Sequence, residues 1–248
     1  MSRVSLFLLL VAFGLVESAR EKIPSFIKIC KRTDPNLDEC VKDSVEKIRP
    51  HLSKGIPELG IPGCEPLILP EIIMNQGKGS VSVQSKYSNI KIFGPSQFIL
   101  KSVKLDLDND KVKIKLWLPR LETSGDYTIN GRILMLPIAG QGISRGNYSD
   151  IEATAIMEGE KFIKGGKTYY NVKEFWVDFN IGHASVHLSN LFNGDQQLGE
   201  AMNEFLNENW QNVADEMKPV LEKTIGDLFK KFSNRIYHKY PLDELLPT

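Results

Sequence analysis

The stretch that decides the fold is residues 196–238, QQLGEAMNEFLNENWQNVADEMKPVLEKTIGDLFKKFSNRIYH. Acidic side chains gather at its start and basic ones at its end, a distribution that complements the dipole of a helix. The pattern predicts a single helix from Gln196 to His238, about 60 Å long, which Pro219 kinks without ending. The apolar residues that carry the pattern recur at helical spacing throughout: Leu198, Met202, Phe205, Leu206, Trp210, Val213, Met217, Val220, Leu221, Ile225, Leu228, Phe232 and Ile236.

Upstream of this helix, from about residue 72 to residue 190, the apolar period changes to two. Strict alternation predicts antiparallel strands with one dry face and one wet face. No helix-length pattern separates these strands, which argues against a doubly wound parallel sheet. The alternating segments run over 103–107, 112–118, 127–133 and 175–181, with turns predicted at Asn109-Asp110 and Gly165-Gly166.

One other helix is predicted, capped by Asp34 with Pro35 at its first position and ending near Pro50–Gly55. A single short helix cannot cover the apolar stripe of the C-terminal one, so the sheet has to curve around it. The expected fold is therefore α+β, with residues 19–248 forming one domain. Its elongated aliphatic interior is either filled by its own side chains or left open for an apolar ligand. Periodicity alone favours the filled core, because apolar stripes are usually core.

Composition limits the class of partner. The chain has 248 residues, and 31 Lys and Arg balance 31 Asp and Glu, giving a net charge of zero. A nucleic-acid binder needs a surplus of basic side chains, so the partner is not expected to be a nucleic acid.

The N-terminus predicts export. Arg3 precedes the apolar run Val4–Val16, which is 13 residues long. A membrane span takes about 20 residues, whereas a run of this length is typical of a signal peptide. Residues 1–18 are the expected signal peptide, with cleavage after Ser18 favoured over cleavage after Ala19. The protein is expected to be secreted, without stable insertion into a membrane.

An oxidising compartment affects how the cysteines are interpreted. A bridge between Cys30 and Cys40 would close a small loop at the mature N-terminus. Cys64 is then left over, as a buried free thiol or a partner for a second chain, and a small apolar filler in a turn is the interpretation we favour. Asn147 begins an Asn-Tyr-Ser sequon and is a predicted glycosylation site in a secreted protein.

Five stretches resemble the takeout/juvenile hormone-binding protein family of insects, and together they cover the mature chain in order. The first is Ile29-Cys-Lys-Arg-Thr-Asp-Pro-Asn-Leu-Asp-Glu-Cys40. The others are LSKGIPELGIP at 52–62, LFNGDQQLG at 191–199, MNEFLNENW at 202–210 and PLDELLP at 241–247.

The resemblance implies a tubular lipid-binding fold, in which a strongly curved antiparallel sheet wraps one long helix around a hydrophobic tunnel. It also implies the Cys30–Cys40 disulfide, secretion, and carriage of a small apolar ligand such as a terpenoid or fatty acid. Some relatives are linked to circadian, feeding or chemosensory physiology. The hormone-binding branch carries a second disulfide, which Cys64 alone cannot form, so the takeout branch is the better match and juvenile hormone the less expected ligand.

The predicted ligand-binding residues are apolar-face positions of the central strands and the long helix. Each one taken singly is more typical of plain core than of ligand contact. They are Leu116, Leu118, Tyr127, Ile129, Phe179, Phe205 and Trp210.

An esterase is the alternative from a different class. Gly142-Ile-Ser-Arg-Gly146 matches the G-x-S-x-G elbow, and Asp178 followed by His183 or His187 keeps the order of a triad. The elbow requires a strand-to-helix turn, whereas Ser144 leads into a strand-like segment, so we do not expect an enzyme.

Two further classes of site are weaker still. His183 and His187 share one face of a strand, but two ligands without a third are a poor metal site, and no metal or other cofactor is expected. A module that binds membrane surfaces is a third possibility, which the neutral charge and the lack of a basic amphipathic helix make less favourable.

Overall fold

The computed structural model describes residues 22–75, 81–134 and 136–248. The predicted signal peptide, residues 1–18, and both candidate cleavage sites lie outside these residues. The helices are α1 (Leu37–Leu52), α2 (Gln196–Glu208), α3 (Trp210–Tyr237) and α4 (Leu242–Leu245). The strands are β1 (Gly55–Ile56), β2 (Ile61–Pro62), β3 (Leu67–Ile68), β4 (Ile72–Asn75), β5 (Val81–Phe93), β6 (Ile99–Asp106), β7 (Lys111–Ile133), β8 (Leu136–Lys164) and β9 (Lys167–Leu188).

Seven of the strands form one antiparallel sheet. Five of them follow one another in the order β3-β5-β7-β8-β9, and β4 and β6 pair beside this path. The long strand β7 has two partners on one side, because β6 pairs with its first half and β5 with its second half. β4 pairs with β5 next to β3. The turns predicted at Asn109-Asp110 and Gly165-Gly166 join β6 to β7 and β8 to β9, which confirms both.

Helix α3 contacts this sheet at both of its edges. It lies along β9 at one edge, where Gly226 comes so close to Phe175 that a Cβ there would stand 2.4 Å from the Phe175 carbonyl oxygen. At the other edge, apolar side chains of α3 such as Met217 and Leu228 pack with the buried cluster around Ile72. A sheet that meets one helix at both of its edges has to curve around that helix. The predicted α+β fold, with a curved sheet around a long C-terminal helix, is confirmed.

The single helix predicted for residues 196–238 is wrong at one residue. Asn209 has φ −108° and ψ 23°, outside the helical range, and separates α2 from α3. Its side-chain amide donates to the Phe205 carbonyl at 2.9 Å, a local hydrogen bond of the kind that competes with helix continuation. Helix α3 runs on through Pro219 and ends at Tyr237.

The start of α1 also differs from the prediction. Asn36, and not Asp34, is the N-cap, and Asp34 instead holds the preceding turn by accepting a hydrogen bond from the Asn36 N–H at 2.8 Å. The Cys30–Cys40 disulfide is present and ties this turn to the first turn of α1. Cys64 is a free, half-buried thiol packed against the core, and burial raises its pKa to about 11.

Three asparagines attach the helices to the outer edge of β9. Asn203 accepts a hydrogen bond from the Leu188 N–H at 2.8 Å and donates to the Leu188 carbonyl at 3.0 Å. Asn207 makes the same two-point contact with Val186, and Asn234 with Val172. Each side-chain amide therefore replaces the peptide group of a missing neighbouring strand. We call Asn203, Asn207 and Asn234 the asparagine clasps.

The two ends of the described chain meet beyond the C-terminus of α3. Arg32 donates to the Leu246 carbonyl and to the Asp243 carboxylate, each at 2.8 Å. Beside this contact, Tyr240 is 1% exposed and packs with Ile56 and Leu59. Of the helices in the described ranges, none has the length and hydropathy needed to cross a membrane.

Candidate functional site

An internal cavity of about 90 Å³ lies where α2 gives way to α3. Leu206 reaches it from the last turn of α2 and Val213 from the first turn of α3. The break at Asn209 therefore lies next to the cavity, between two residues that line it. The sheet supplies the rest of the lining, which is Met74, Val83, Ser85, Tyr87, Ile129, Ile133, Ser144, Tyr148, Val186 and Leu188, with Met217 added by α3.

This lining is apolar apart from four hydroxyl groups, those of Ser85, Tyr87, Ser144 and Tyr148. Within the described part of the chain, no lining residue carries a charged side chain. Such a cavity suits an uncharged apolar molecule, since burial of apolar area gives about 25 cal/mol per Å² and a few polar groups fix its orientation.

Ser85 is the unusual member of this lining. It is 4% exposed, and its Oγ has no hydrogen-bond partner among the described residues. Its neighbours across the two adjacent strands, Met74 and Ile129, are buried and apolar. A buried hydroxyl without a partner costs about 1–3 kcal/mol. Local packing therefore does not explain this side chain.

The tyrosines around the cavity stay neutral. Burial raises the pKa of Tyr87, and the nearby phenols of Tyr148 and Tyr127 raise it further. Burial also raises the pKa of Tyr127 to about 12, and its hydroxyl donates to the Ser189 carbonyl at 2.7 Å. Burial raises the pKa of Tyr148, although a hydrogen bond with Thr123 acts in the opposite direction and lowers it.

Glycines on the inner face of β8 make room for two of these phenols. A Cβ at Gly140 would stand 2.9 Å from the Tyr127 hydroxyl, and one at Gly146 would stand 2.5 Å from the Tyr148 hydroxyl. Both distances are shorter than a side chain tolerates. Of the two glycines in the elbow motif, Gly146 is thus explained by packing against Tyr148, and Gly142 by its close approach to Ser189, whose carbonyl oxygen would stand 2.6 Å from a Cβ there.

The structure does not form the elbow. Ser144 lies inside strand β8, where it pairs with Gly125 and Leu188, and not at a turn into a helix. His183 and His187 are exposed, and Asp178 is bound by Lys218 at 2.7 Å. The three groups of the hypothetical triad therefore face different surroundings. In the described residues, no three His, Cys, Asp or Glu side chains lie close enough together to hold a metal ion.

The predicted ligand-binding residues fall into three groups. Ile129 lines the cavity, and Tyr127 and Phe205 belong to the apolar cluster beside it. Trp210 meets the His183 ring edge-on with centroids 5.9 Å apart, and Lys218 lies over the Phe179 ring. Leu116 and Leu118 are half-buried on the first half of β7, away from the cavity lining.

Sequence reasoning missed most of the lining, including Ser85 and Tyr87 on β5. A signal was present, because Val83, Ser85 and Tyr87 alternate with the exposed residues Gln84 and Lys86. That alternation assigns the three residues to one face, but it does not reveal that a cavity lies in front of them.

Apolar side chains along the interior are less buried than a close-packed core requires. Of the 28 residues of α3, all of them described, only Gly226 is buried. The inward-facing apolar residues of α3, of the first half of β7 and of the middle of β9 are half-buried: Val213, Met217, Val220, Leu221, Ile225, Leu228, Phe232, Ile114, Leu116, Leu118, Val177 and Phe179. These positions are therefore less buried than the core cluster around Ile129.

Asn147, the predicted glycosylation site, is exposed on the outer face of β8. Its side-chain oxygen accepts a hydrogen bond from Arg120 at 3.3 Å. The position is accessible, and its modification stays a prediction.

Comparison with known proteins agrees with this architecture. The chain is 26% identical to the circadian clock-controlled protein daywake of Drosophila melanogaster over 91% of this chain and 89% of the relative. It is 24% identical to a Schistocerca gregaria protein whose name proposes that it binds beta-carotene, over 89% of this chain and 88% of the relative. The crystal structure of Takeout 1 from Epiphyas postvittana matches 90% of this chain and 100% of its own with a TM-score of 0.78 and 27% identity. Residues 6–247 match the model of the haemolymph juvenile hormone-binding proteins, and the chain therefore belongs to this family of carriers of small hydrophobic ligands.

Proposed function

We propose that this protein is a secreted, takeout-like carrier that holds a small elongated hydrophobic ligand in a tunnel between the curved sheet and α3. The observation that supports this function is the half-buried apolar stripe of α3 facing half-buried strand residues. A helix enclosed by a filled core would bury that stripe. Here the ligand completes the burial instead.

The cavity under the helix break is one section of the proposed tunnel. Its volume of about 90 Å³ is below the roughly 300–1,000 Å³ of whole ligand sites. It can take one end of an elongated ligand, while the rest of the ligand lies along α3 past Met217 and Val220. Terpenoids and fatty acyl chains have the required shape and polarity.

The names of two relatives support a binding protein with a physiological role. One relative is named for beta-carotene and another for control by the circadian clock. We propose the same general role here, in circadian, feeding or chemosensory physiology. We propose no catalytic role for Ser144, since it lies inside a strand among apolar side chains.

A binding experiment with a cavity-filling variant tests the proposal. The mature chain is delipidated and titrated with an uncharged fluorescent apolar probe, N-phenyl-1-naphthylamine. We expect saturable binding in the wild type and at least a tenfold loss of affinity in Val213→Trp, because the indole fills the cavity below α3.

Leu198→Trp is the matched control. Leu198 is 54% exposed on α2, so the same new side chain points into solvent there and should leave probe affinity unchanged. Absence of saturable binding in the wild type, or equal affinity in Val213→Trp at normal stability, would contradict an internal carrier site.

A further inference from the structure

We propose that Ser85 binds the polar end of the ligand, and that this end is an uncharged oxygen group such as an alcohol or a ketone. This inference rests on the proposed carrier function and narrows its ligand class. It starts from the one lining hydroxyl that is deeply buried and unpaired among the described residues.

The surroundings of Ser85 leave the cavity as the place for its partner. Met74 on β4 and Ile129 on β7 flank it across the sheet. Ile129 cannot form a hydrogen bond with its side chain, and the thioether of Met74 is only a weak acceptor. Helices α2 and α3 supply three further lining residues, Leu206, Val213 and Met217, and all three are apolar. A ligand oxygen entering the cavity could therefore pair with the Ser85 Oγ, which no described protein group engages.

A second hydroxyl lies on the same face of the same strand. Tyr87 is two residues from Ser85 and lines the same cavity, and burial holds its phenol in the neutral form by raising its pKa. The two side chains give one wall both hydrogen-bond donors and acceptors. The opposite wall, from the helices, offers only apolar contact.

The charge of the site decides between end groups. A carboxylate buried without a cationic partner is strongly disfavoured, and the described lining holds neither Lys nor Arg. A pure hydrocarbon would leave the Ser85 hydroxyl without a hydrogen bond, so the free-energy cost of burying this hydroxyl would remain. A neutral oxygen group avoids both penalties.

Three twelve-carbon ligands that differ only in the end group test the inference by displacement of N-phenyl-1-naphthylamine at pH 8. They are dodecan-1-ol, ionised dodecanoic acid and dodecane. In the wild type, dodecan-1-ol is expected to bind most tightly. In Ser85→Ala, its affinity should fall about fivefold, while the affinity for dodecane stays the same or rises.

Two further variants control for structural effects. Ser85→Thr keeps the hydroxyl and should keep the preference for the alcohol. Ser82→Ala removes a serine from the opposite face of β5 and should change no affinity. Ser85→Ala removes an unpaired buried hydroxyl, so its denaturant midpoint should equal or exceed that of the wild type.

The outcomes separate the inference from the function on which it rests. If none of the three ligands displaces the probe, both the carrier function and the end-group assignment fail. If all three displace it and Ser85→Ala leaves the alcohol preference unchanged, the carrier function stands and the assignment to Ser85 is overturned. Tightest binding of dodecanoate would likewise overturn the uncharged end group.

Discussion

At the scale of single residues, Glu65 is a polar side chain outside the cavity that holds a turn. Its carboxylate accepts hydrogen bonds from the Gly94 N–H and the Ser96 N–H, each at 2.8 Å, and from the Ser96 hydroxyl at 2.7 Å. Burial alone would raise the pKa of Glu65, but these three hydrogen bonds lower it. One carboxylate thus fixes the connection between β5 and β6.

Replacing this carboxylate should destabilise the protein in a pH-dependent manner. Because the folded pKa lies below the unfolded value of about 4.5, the stabilisation is complete above that value and is lost as pH falls through the folded pKa. We expect Glu65→Gln to reduce the free energy of unfolding by about 1–3 kcal/mol at pH 7, with the difference shrinking below pH 4. Urea unfolding across this pH range measures it.

Glu71→Gln is the comparison variant. Glu71 forms an exposed ion pair with Lys86 at 2.6 Å, and such pairs contribute about 0–1 kcal/mol. Equal effects of the two substitutions would contradict the role assigned to Glu65.

At the scale of secondary structure elements, the asparagine clasps hold α2 and α3 to the edge of β9. Asn203 is 8% exposed, so its two hydrogen bonds with Leu188 are shielded from water. Without them, the Leu188 N–H and carbonyl would be buried without partners. The clasps also cover an edge that could pair with another chain.

The isosteric change Asn203→Asp tests a clasp. The carboxylate still accepts from the Leu188 N–H but can no longer donate to the Leu188 carbonyl, and it carries a buried charge. We expect the free energy of unfolding to fall by about 2–4 kcal/mol, with faster hydrogen exchange at the Leu188 amide. Asn212→Asp, on the exposed side of α3, should change neither quantity measurably.

The sequence predicted these elements where the local pattern was complete. Helical spacing through Phe232 and alternation through Leu116 identified α3 and β7. The helix break was missed because Asn209 ends α2 through a hydrogen bond with Phe205, which spacing does not register. Strand β7 joins two of the predicted segments, 112–118 and 127–133, because its exposed positions change from odd to even numbers between Lys115 and Arg120.

The candidate site was less predictable than the fold. Ile129 was placed at the cavity from its strand face, whereas Leu116 and Leu118 have the same pattern and lie elsewhere along the interior. Alternation tells which face a residue occupies, but the position of a cavity along that face depends on the opposite wall. For Ser85 that wall is Leu206 and Val213, more than a hundred residues away in the chain.

At the scale of the whole molecule, both ends of the described chain close the same end of the fold. Arg32 donates to the Leu246 carbonyl from Nε at 3.0 Å and from a terminal nitrogen at 2.8 Å. Two nitrogens of the planar guanidinium group therefore share one acceptor. Its terminal nitrogen also contacts Asp243 at 2.8 Å. The disulfide at Cys30 holds Arg32 near α1, and the C-terminal tail is held in turn by Arg32.

Arg32→Lys distinguishes the two hydrogen bonds of the guanidinium group from its positive charge. Lysine keeps an ion pair with Asp243 within reach but cannot make both contacts with the Leu246 carbonyl. We expect the free energy of unfolding to fall by about 1 kcal/mol, and limited proteolysis to release the tail after Tyr240 more quickly. Arg145→Lys, at an exposed position on β8, serves as the control and should behave as the wild type. Identical tail cleavage in both variants would contradict the role of Arg32.

The asparagine clasps have a consequence for the conditions under which this carrier works. Side-chain amides neither gain nor lose protons, and hydrogen bonds between neutral groups are scarcely weakened by dissolved salt. These three contacts are therefore insensitive to acidification and to ionic strength, unlike the Lys218–Asp178 ion pair that also joins α3 to β9. The attachment of α2 and α3 to β9 at these three points is therefore expected to persist in fluids of very different composition.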